Sequence, residues 1–306
     1  MNTGKMKKTA LKVKRRWQLY VLLTPALLYF AIFRYGPMYG LQLAFRDFMP
    51  NLGISGSEWI GLENFRRFFN SYHFEVLLKN TLTLSLYQLL VGFPLPILLA
   101  LSLHALENKK VAKCIQTIVY APYFISTVVL VGMINIFFSM NGGLVNSLLA
   151  LLGKEQILFL GKASYFPSLY VWSGVWQSTG WSAIIYLAAL SSVNPELHEA
   201  AKIDGAGRFQ RILHIDIPHI VPTIITLLIL NAGKIMSVGF EKAYLMQNSL
   251  NLEKSEIIST YVYKVGLLEG QYGFSTAVDI FNAVINCVLL VLVNWLSKKV
   301  SGSSLW

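Results

Sequence analysis

The sequence predicts an all-α membrane protein with six membrane-spanning helices, and three observations support this fold class. Hydrophobic residues make up 55% of the 306 residues and charged residues only 13%, whereas a soluble domain carries about 25% charged residues. Several apolar runs approach the ~20 residues that a helix needs to cross the hydrocarbon core. Lys and Arg concentrate in short segments between alternate apolar runs, which is typical of cytoplasmic loops.

The predicted spans follow the apolar runs in chain order. Their expected bounds are 17–45, 76–103, 114–140, 168–190, 217–240 and 276–296. Arg34 interrupts the first run, so one long helix kinked near Pro37 and a short helix followed by an interfacial segment both remain open. Because proline removes a helix hydrogen bond, Pro94 and Pro96 predict an interruption of the second span and Pro122 predicts one in the third.

The basic residues decide the predicted orientation. With the N-terminus inside, six spans return the C-terminus to the same side, and the segments then placed inside carry most of the net charge of +11. Lys and Arg accumulate on the cytoplasmic side, so both termini are expected there. The expected organisation is a basic N-terminus at 1–16, a six-span domain at 17–297 and a tail at 298–306. Charge scattered over short loops also argues against a nucleic-acid partner.

A polar, basic island at 192–217 separates the fourth and fifth predicted spans. Pro195 suits a first helical turn, where its missing N–H costs no hydrogen bond. Glu196 and Glu199 would then lie near the end of the helix dipole that favours negative charge. Gly205 follows a run of good helix formers and permits the positive φ of a sharp turn. Helical spacing resumes a few residues later, so the island is predicted to be a helix–turn–helix outside the membrane.

No recognisable catalytic or metal-binding motif occurs in the sequence. There is no GxxxxGK[ST] motif, so a P-loop for ATP phosphates is not expected. His198-Glu199 does not continue into HExxH, and the five histidines show no metal-ligand spacing. We therefore expect no metal, no cofactor and no enzymatic activity in this chain.

Polar side chains within three of the apolar runs mark a candidate solute path. Such groups are costly in a membrane and usually face a bundle interior or a water-filled path. Aromatic faces combined with amides and hydroxyls suit a sugar. The structural alternative stays open, because Asn and Gln also join helices in membranes and Trp marks membrane interfaces. The candidate path residues are Trp172, Trp176, Gln177, Trp181, Asn231, Lys234, Ser237, Asp279, Asn282 and Asn286.

The island also resembles a known signature. Glu199-Ala200-Ala201, followed by Asp204-Gly205-Ala206 and by Pro218 and Pro222, resembles the EAA loop of bacterial ABC importer permeases. The Pro195-Glu196-Leu197 lead is similar to that of the carbohydrate-uptake branch, whose maltose-type members carry the fuller form of the loop.

Shorter pieces elsewhere in the chain resemble the same branch. They are WIGLENF at 59–65, NTL at 80–82, GLVN at 143–146 and IIYLAAL at 184–190. The N-terminal segment and RYGPMYGLQLAFRDF at 34–48 look most like the subgroup that imports oligosaccharides cut from complex polysaccharides. The resemblance therefore covers most of the chain from the first span onward.

In that family the EAA loop is the coupling helix, which docks on a separate ATP-hydrolysing subunit. The resemblance thus implies a coupling loop at 192–217 within a six-span permease of the bacterial plasma membrane. It implies four kinds of partner: a second similar permease, two ATPase subunits that bind the ATP and Mg, an extracellular solute-binding lipoprotein and an oligosaccharide. The residues that it places at the ATPase contact are Glu199, Ala200, Ala201, Asp204, Gly205, Ala206, Arg208 and Arg211.

Other functions stay open on the sequence alone. An importer of this family can carry a solute other than a sugar. A secondary carrier working alone would need an ion or proton site in mid-span, for which Asp279 is the available acid. A membrane enzyme is disfavoured, because no catalytic cluster is present. The sequence does not identify the sugar, its length or its linkage.

Overall fold

The computed structural model describes residues 16–302 and 304–305, and these residues are almost entirely helical. The predicted basic N-terminus at 1–16 lies outside the described residues except for Arg16, and the predicted tail at 298–306 is described only in part.

The chain begins with one long helical segment. Helix α1 (Trp17–Phe30) runs without a gap into a π-helical turn (Ala31–Tyr35) and a 3₁₀ segment (Gly36–Phe45), and together they form 29 helical residues. Of the two alternatives for the first span, the structure has the long helix, whose geometry changes at Ala31 and again at Gly36. No residue of α1 is buried within this chain, so its apolar surface is left for lipid or another subunit.

A compact segment follows the first helix. Strand β1 (Arg46–Asp47) pairs antiparallel with β2 (Glu58–Trp59), and α2 (Gly53–Gly56) lies between them. Helix α3 (Glu63–Phe69) then buries Phe68, whose ring lies 5.4 Å from that of Phe281 in the last helix.

The next two predicted spans are both interrupted, as their prolines predicted. Helices α4 (Tyr72–Gly92) and α5 (Pro94–His104) meet at Phe93 and together form one apolar span. Helix α6 (Lys109–Tyr120), extended by a 3₁₀ turn that contains Pro122, meets α7 (Thr127–Phe137) at a bend of 97°. The predicted third span is therefore a broken helix rather than a rod.

The second half of the chain is built around one long central helix, α9. The elements in order are α8 (Leu144–Leu151), α9 (Phe166–Leu190), α10 (Pro195–Ile203), α11 (Arg208–Arg211), a π-helical turn (Ile212–Asp216), α12 (Ile217–Ala232), α13 (Phe240–Met246), α14 (Leu252–Ser255), α15 (Ile258–Tyr263), a second π-helical turn (Lys264–Leu268) and α16 (Tyr272–Ser301). Helix α9 packs against α4, α5, α6 and α12. Gly180 permits the close approach of α9 to α6, because a Cβ at this position would overlap the carbonyl of Val119 in α6.

Four helical segments of the described residues are long and apolar enough to cross a membrane. They are Trp17–Phe45, Tyr72–His104, Arg208–Ala232 and Tyr272–Lys299, and the broken α6–α7 pair is a candidate fifth. The predicted fourth span, α9, has 25 residues, about 38 Å at 1.5 Å per residue, but its Ser, Thr and Gln residues make it less apolar than these. A membrane-spanning helical architecture is thus observed, whereas the number six stays a prediction.

Buried asparagines hold the loops at one end of the bundle. Asn64, in the WIGLENF piece, donates from Nδ2 to the carbonyl of Ala44 at 3.0 Å. Asn80, in the NTL piece, donates from Nδ2 to the carbonyls of Glu253 at 2.9 Å and Glu256 at 3.0 Å. A buried backbone carbonyl needs such a partner, so these short sequence pieces have a structural role.

Asn146, in the GLVN piece, works in the same way. Its Nδ2 donates to the carbonyls of Ser139 at 2.9 Å and Ile157 at 3.0 Å, and its Oδ1 accepts from the Ile157 N–H at 2.8 Å. The side chain is fully buried. The loop on either side of α8 is therefore fixed by one amide.

Gln177 satisfies the backbone at the broken third span. Its Nε2 donates to the carbonyl of Ile125 at 2.7 Å, in the two-residue gap between the 3₁₀ turn and α7. Within a membrane a freed carbonyl must find a partner in the protein. Gln177, which was predicted to line the solute path, thus forms a hydrogen bond that supports the broken helix.

We expect Gln177→Leu to destabilise the protein by about 1 kcal/mol, because it leaves the partly buried carbonyl of Ile125 without its partner. Thermal unfolding of the detergent-solubilised protein measures this loss. The matched control is Gln88→Leu, because the exposed Gln88 side chain makes no hydrogen bond within residues 16–302 and 304–305. Equal stability of the two variants would contradict the assigned role of Gln177.

Candidate functional site

The 192–217 island is a defined helix–turn–helix. Asn194 begins α10 by accepting a hydrogen bond on Oδ1 from the Glu196 N–H at 3.1 Å, and Pro195 occupies the first helical position. No residue of α10 is buried, so hydrophobic packing within this chain does not hold it in place.

A glycine-dependent turn ends α10. The N–H of Gly205 donates to the Lys202 carbonyl at 3.1 Å, and the N–H of Ala206 donates to the Ala201 carbonyl at 2.8 Å, which is the Schellman pattern. Gly205 has φ of 80°, a conformation that costs glycine little and other residues much more. Gln210 then accepts from the Gly207 N–H at 2.7 Å and starts α11.

The surface of this helix–turn–helix combines apolar knobs with a hollow. Ile203 is 87% exposed, Phe209 71% and Leu197 54%, although charged residues surround them. A concavity of about 310 Å³ lies beside the turn, with Ala201, Asp204, Gly205, Ala206 and Arg211 among its lining residues. Exposed apolar groups beside a hollow form a shape suited to docking a protein partner.

Polar contacts fasten the helix–turn–helix to the rest of the chain. Arg208 Nη2 lies 3.0 Å from Glu107 Oε1, in the short loop after α5. His198 Nε2 lies 3.1 Å from Oδ1 of the buried Asp216, which precedes α12. His104, at the end of α5, approaches the same oxygen. These contacts connect α10 and α11 to the ends of α5 and α12.

A second candidate site is a partly open cavity of about 550 Å³ between α4, α5, α9, α12 and the segment 234–239 that follows α12. Among its lining residues are Gln88, Ser178, Trp181, Ser182, Tyr186, Asn231, Lys234 and Ser237. Of the lining residues, all within the described part of the chain, Lys234 is the only Lys, Arg, Asp or Glu. The Trp181 ring stacks on that of Tyr123 with centroids 4.4 Å apart, which fixes an aromatic face at the cavity wall.

The structure brings four of the ten candidate path residues to this cavity. They are Trp181, Asn231, Lys234 and Ser237. Sequence reasoning missed Gln88, Ser182 and Tyr186. Gln88 carried the same signal as the others, an amide within an apolar run, whereas the positions of Ser182 and Tyr186 become informative only once α9 is placed against α12.

The other six candidates lie elsewhere. Trp172 donates from Nε1 to the Tyr87 hydroxyl at 2.9 Å, and Trp176 is half-exposed. Asn286 accepts on Oδ1 from the Met236 N–H at 2.9 Å and donates to Ser237 Oγ at 3.0 Å, so it supports a lining residue from behind. The remaining three, none of which lines the cavity, are Gln177, Asp279 and Asn282.

The chain shows a clear similarity to characterised transport proteins. The family model described as "Binding-protein-dependent transport system inner membrane component" matches residues 92–302, which is more than half of the chain. The chain belongs to this family. The predicted identity as an ABC importer permease is therefore confirmed, and so is its role as a membrane transport subunit rather than an enzyme.

Individual members of the family are similar over nearly the whole chain. The polygalacturonan/rhamnogalacturonan transport system permease protein YteP of Bacillus subtilis (strain 168) is 44% identical over 96% of this chain and 92% of its own length. Protein LplB of the same organism is 45% identical over the same shares. A chain in the crystal structure of a bacterial alginate ABC transporter, in complex with alginate pentasaccharide-bound periplasmic protein, is 41% identical with a TM-score of 0.89, covering 96% of this chain and 98% of its own.

Proposed function

We propose that this chain is one of two permease subunits of an ATP-driven importer that carries an acidic oligosaccharide into the cytoplasm. The cavity is the observation that supports the substrate class: its one charged residue is Lys234, and none of its lining residues is acidic. Similar proteins are named for polygalacturonan, rhamnogalacturonan and the acidic polysaccharide alginate.

The chemistry of the cavity suits a uronate-containing sugar. The C–H faces of a sugar ring pack on an aromatic face such as that of Trp181, and the amide of Asn231 and the hydroxyl of Ser237 can bond sugar hydroxyls. Lys234 is exposed at the cavity wall, where its side chain can pair with a carboxylate through a charge-assisted bond. A volume of about 550 Å³ lies within the range of ligand pockets.

The helix–turn–helix is the proposed contact with the ATPase subunit. Helix α10 supplies Glu199, Ala200 and Ala201, and the turn supplies Asp204, Gly205 and Ala206. Arg208 and Arg211 lie on α11, and the exposed knob of Ile203 would fill a cleft on the partner. The small alanines allow the two proteins to approach closely. The side chains of Glu199, Arg208 and Arg211 can pair with charged groups on the ATPase subunit.

The proposed assembly follows from this contact. Six spans at 17–297 would place both termini in the cytoplasm of a bacterial cell, with the 192–217 loop on the same side. A second permease covers exposed apolar helix surface of this chain, two ATPase subunits bind the ATP and Mg, and an extracellular solute-binding lipoprotein delivers the sugar.

The mechanism proposed for this assembly is alternating access. ATP closes the ATPase dimer and draws the two coupling helices together. Because α10 contacts the ends of α5 and α12 through His198 and Asp216, this movement reorients helices that line the cavity. The sugar enters from the outer side and leaves inward after hydrolysis.

Reconstitution tests the proposal. The full complex in proteoliposomes is expected to accumulate labelled oligogalacturonate in the presence of ATP, and a neutral oligosaccharide of equal length is expected to be taken up far less. Preferential uptake of the neutral sugar would overturn the acidic substrate class. Uptake by this chain without the ATPase subunits would overturn the subunit role.

A further inference from the structure

We propose that His104, His198 and Asp216 form a binding site for a divalent transition-metal ion, with Zn²⁺ as its best-fitting example. The site joins three segments that are distant in sequence: the end of α5, the middle of α10 and the π-helical turn before α12. Nothing in the spacing of these residues along the chain indicates the cluster, which arises only through folding.

The geometry of the cluster is close to that of a metal site. The His198 and His104 Nε2 atoms lie 3.1 Å and 3.8 Å from the same oxygen, Asp216 Oδ1. One ligand atom from each residue lies within 4.8 Å of the other two. Ligands bound tetrahedrally to Zn²⁺ at 2.0–2.2 Å are about 3.4 Å apart, so shifts of roughly 1 Å or less complete the site.

Two of these atoms are left without a hydrogen bond in the described part of the chain. Within the described part of the chain, neither His198 Nε2 nor Asp216 Oδ1 has a hydrogen-bond partner, although both are buried. Their 3.1 Å approach lacks hydrogen-bond geometry, so both atoms remain available as metal ligands. Buried polar atoms left unsatisfied are costly, and a bound cation removes that cost.

The donor set indicates the kind of ion. Two imidazole nitrogens and one carboxylate oxygen suit Zn²⁺ and similar transition metals, whereas Ca²⁺ and Mg²⁺ prefer oxygen ligands alone. The Asp216 side chain is 4% exposed, but those of His198 and His104 are 20% and 26% exposed. The ion can therefore reach the site from water past the two imidazoles. Once bound, the cation would compensate the negative charge of the buried Asp216 carboxylate.

A metal at this position would fasten α10 to α5 and α12. Its effect on transport rests on the proposed role of α10 in coupling, but metal binding itself does not. A bound ion would fix the position of α10 relative to the end of α5 and the turn before α12. Helix α10 and these two helices would then move together as one rigid unit.

Direct binding to the purified full complex tests the site. After treatment with a chelator and removal of the chelator, we expect wild-type complex to bind one more equivalent of Zn²⁺ per copy of this chain than Asp216→Asn or His198→Gln complex does. Loss of a direct ligand should weaken the affinity by at least the 10–100-fold that is typical of losing a supporting residue. Co²⁺, used as a spectroscopic probe, should show the visible absorption of a tetrahedral site only in the wild type.

The matched control is His214→Gln, because His214 lies in the same π-helical turn but bonds the Gln210 carbonyl at 2.9 Å and is outside the cluster. This variant should bind Zn²⁺ as the wild type does. Equal Zn²⁺ binding by the wild type, Asp216→Asn and His198→Gln would overturn the proposal, as would Co²⁺ spectra that do not differ among them. Neither readout depends on uptake, so a failed transport assay leaves this test intact.

Discussion

Replacing Gly205 by valine should reduce ATP-dependent uptake by at least tenfold while the complex still assembles in the membrane. Gly205 has φ of 80°, and a Cβ atom there would meet no other atom within 4 Å. The folding cost is therefore confined to the backbone and amounts to about 1–2 kcal/mol. The loss of uptake should be larger than the loss of stability alone would cause. Valine would change the orientation of α10 relative to α11, and with it the surface that contacts the ATPase.

The chain provides an unusually close control in Gly153. This glycine has φ of 68° and also has no atom near its would-be Cβ. It ends α8 with the same pair of bonds, from the Gly153 N–H to Ala150 at 3.0 Å and from the Lys154 N–H to Leu149 at 2.9 Å. Gly153→Val should cost similar stability and leave uptake largely intact. If both variants lose uptake equally, the turn at Gly205 has no special part in coupling.

Replacing Lys234 by glutamine should selectively weaken the transport of acidic oligosaccharides. A charge-assisted bond to a carboxylate contributes about 1.5–3 kcal/mol, and the exposure of Lys234 lowers this to about 1 kcal/mol, or roughly 5-fold in apparent affinity. Concentration-dependent uptake of charged and neutral oligosaccharides by the reconstituted complex measures the change. Uptake of a neutral sugar should be nearly unaffected, because glutamine keeps a hydrogen-bonding side chain in place.

A second lysine separates a local effect from a general effect of charge. Lys254 lies outside the cavity and 3.5 Å from Glu253, so Lys254→Gln should leave both substrates unaffected. A parallel loss of acidic and neutral uptake in Lys234→Gln would show that the residue supports the fold rather than the recognition of charge. No loss of either would remove the cavity from the path.

Much of the helical framework could be predicted from single residues, whereas the partners of those residues could not. Pro122 correctly predicted a break in the third span, because proline removes a backbone N–H from the helix ladder. Proline alone does not decide this, since Pro25 and Pro222 lie inside continuous helices. The same reasoning placed Gln177 in the solute path, since an amide in an apolar run is costly without a partner. Its partner is the carbonyl of Ile125, 52 positions away, and that carbonyl is free only because the helix breaks.

The candidate sites show the same limit. The helix–turn–helix at 192–217 is formed by consecutive residues, so its cap, its turn and its second helix could all be predicted from the local sequence. The cavity and the imidazole–carboxylate cluster are not local. Lys234 was a candidate from the sequence. The absence of an acidic residue from the lining of its cavity depends on how α4, α5, α9 and α12 pack, and the sequence did not show this. His104 gave no signal, because its neighbours in space, His198 and Asp216, lie in segments that are distant from it in the sequence.

The amide of Asn80 has a consequence for how the protein is made. Its carbonyl partners, Glu253 and Glu256, lie 173 and 176 positions later in the chain. During synthesis, α4 therefore enters the bilayer long before these carbonyls exist, and until then water must satisfy the amide. Closure of this end of the bundle is consequently a late step of biogenesis, one that a nascent chain stalled before residue 253 does not reach.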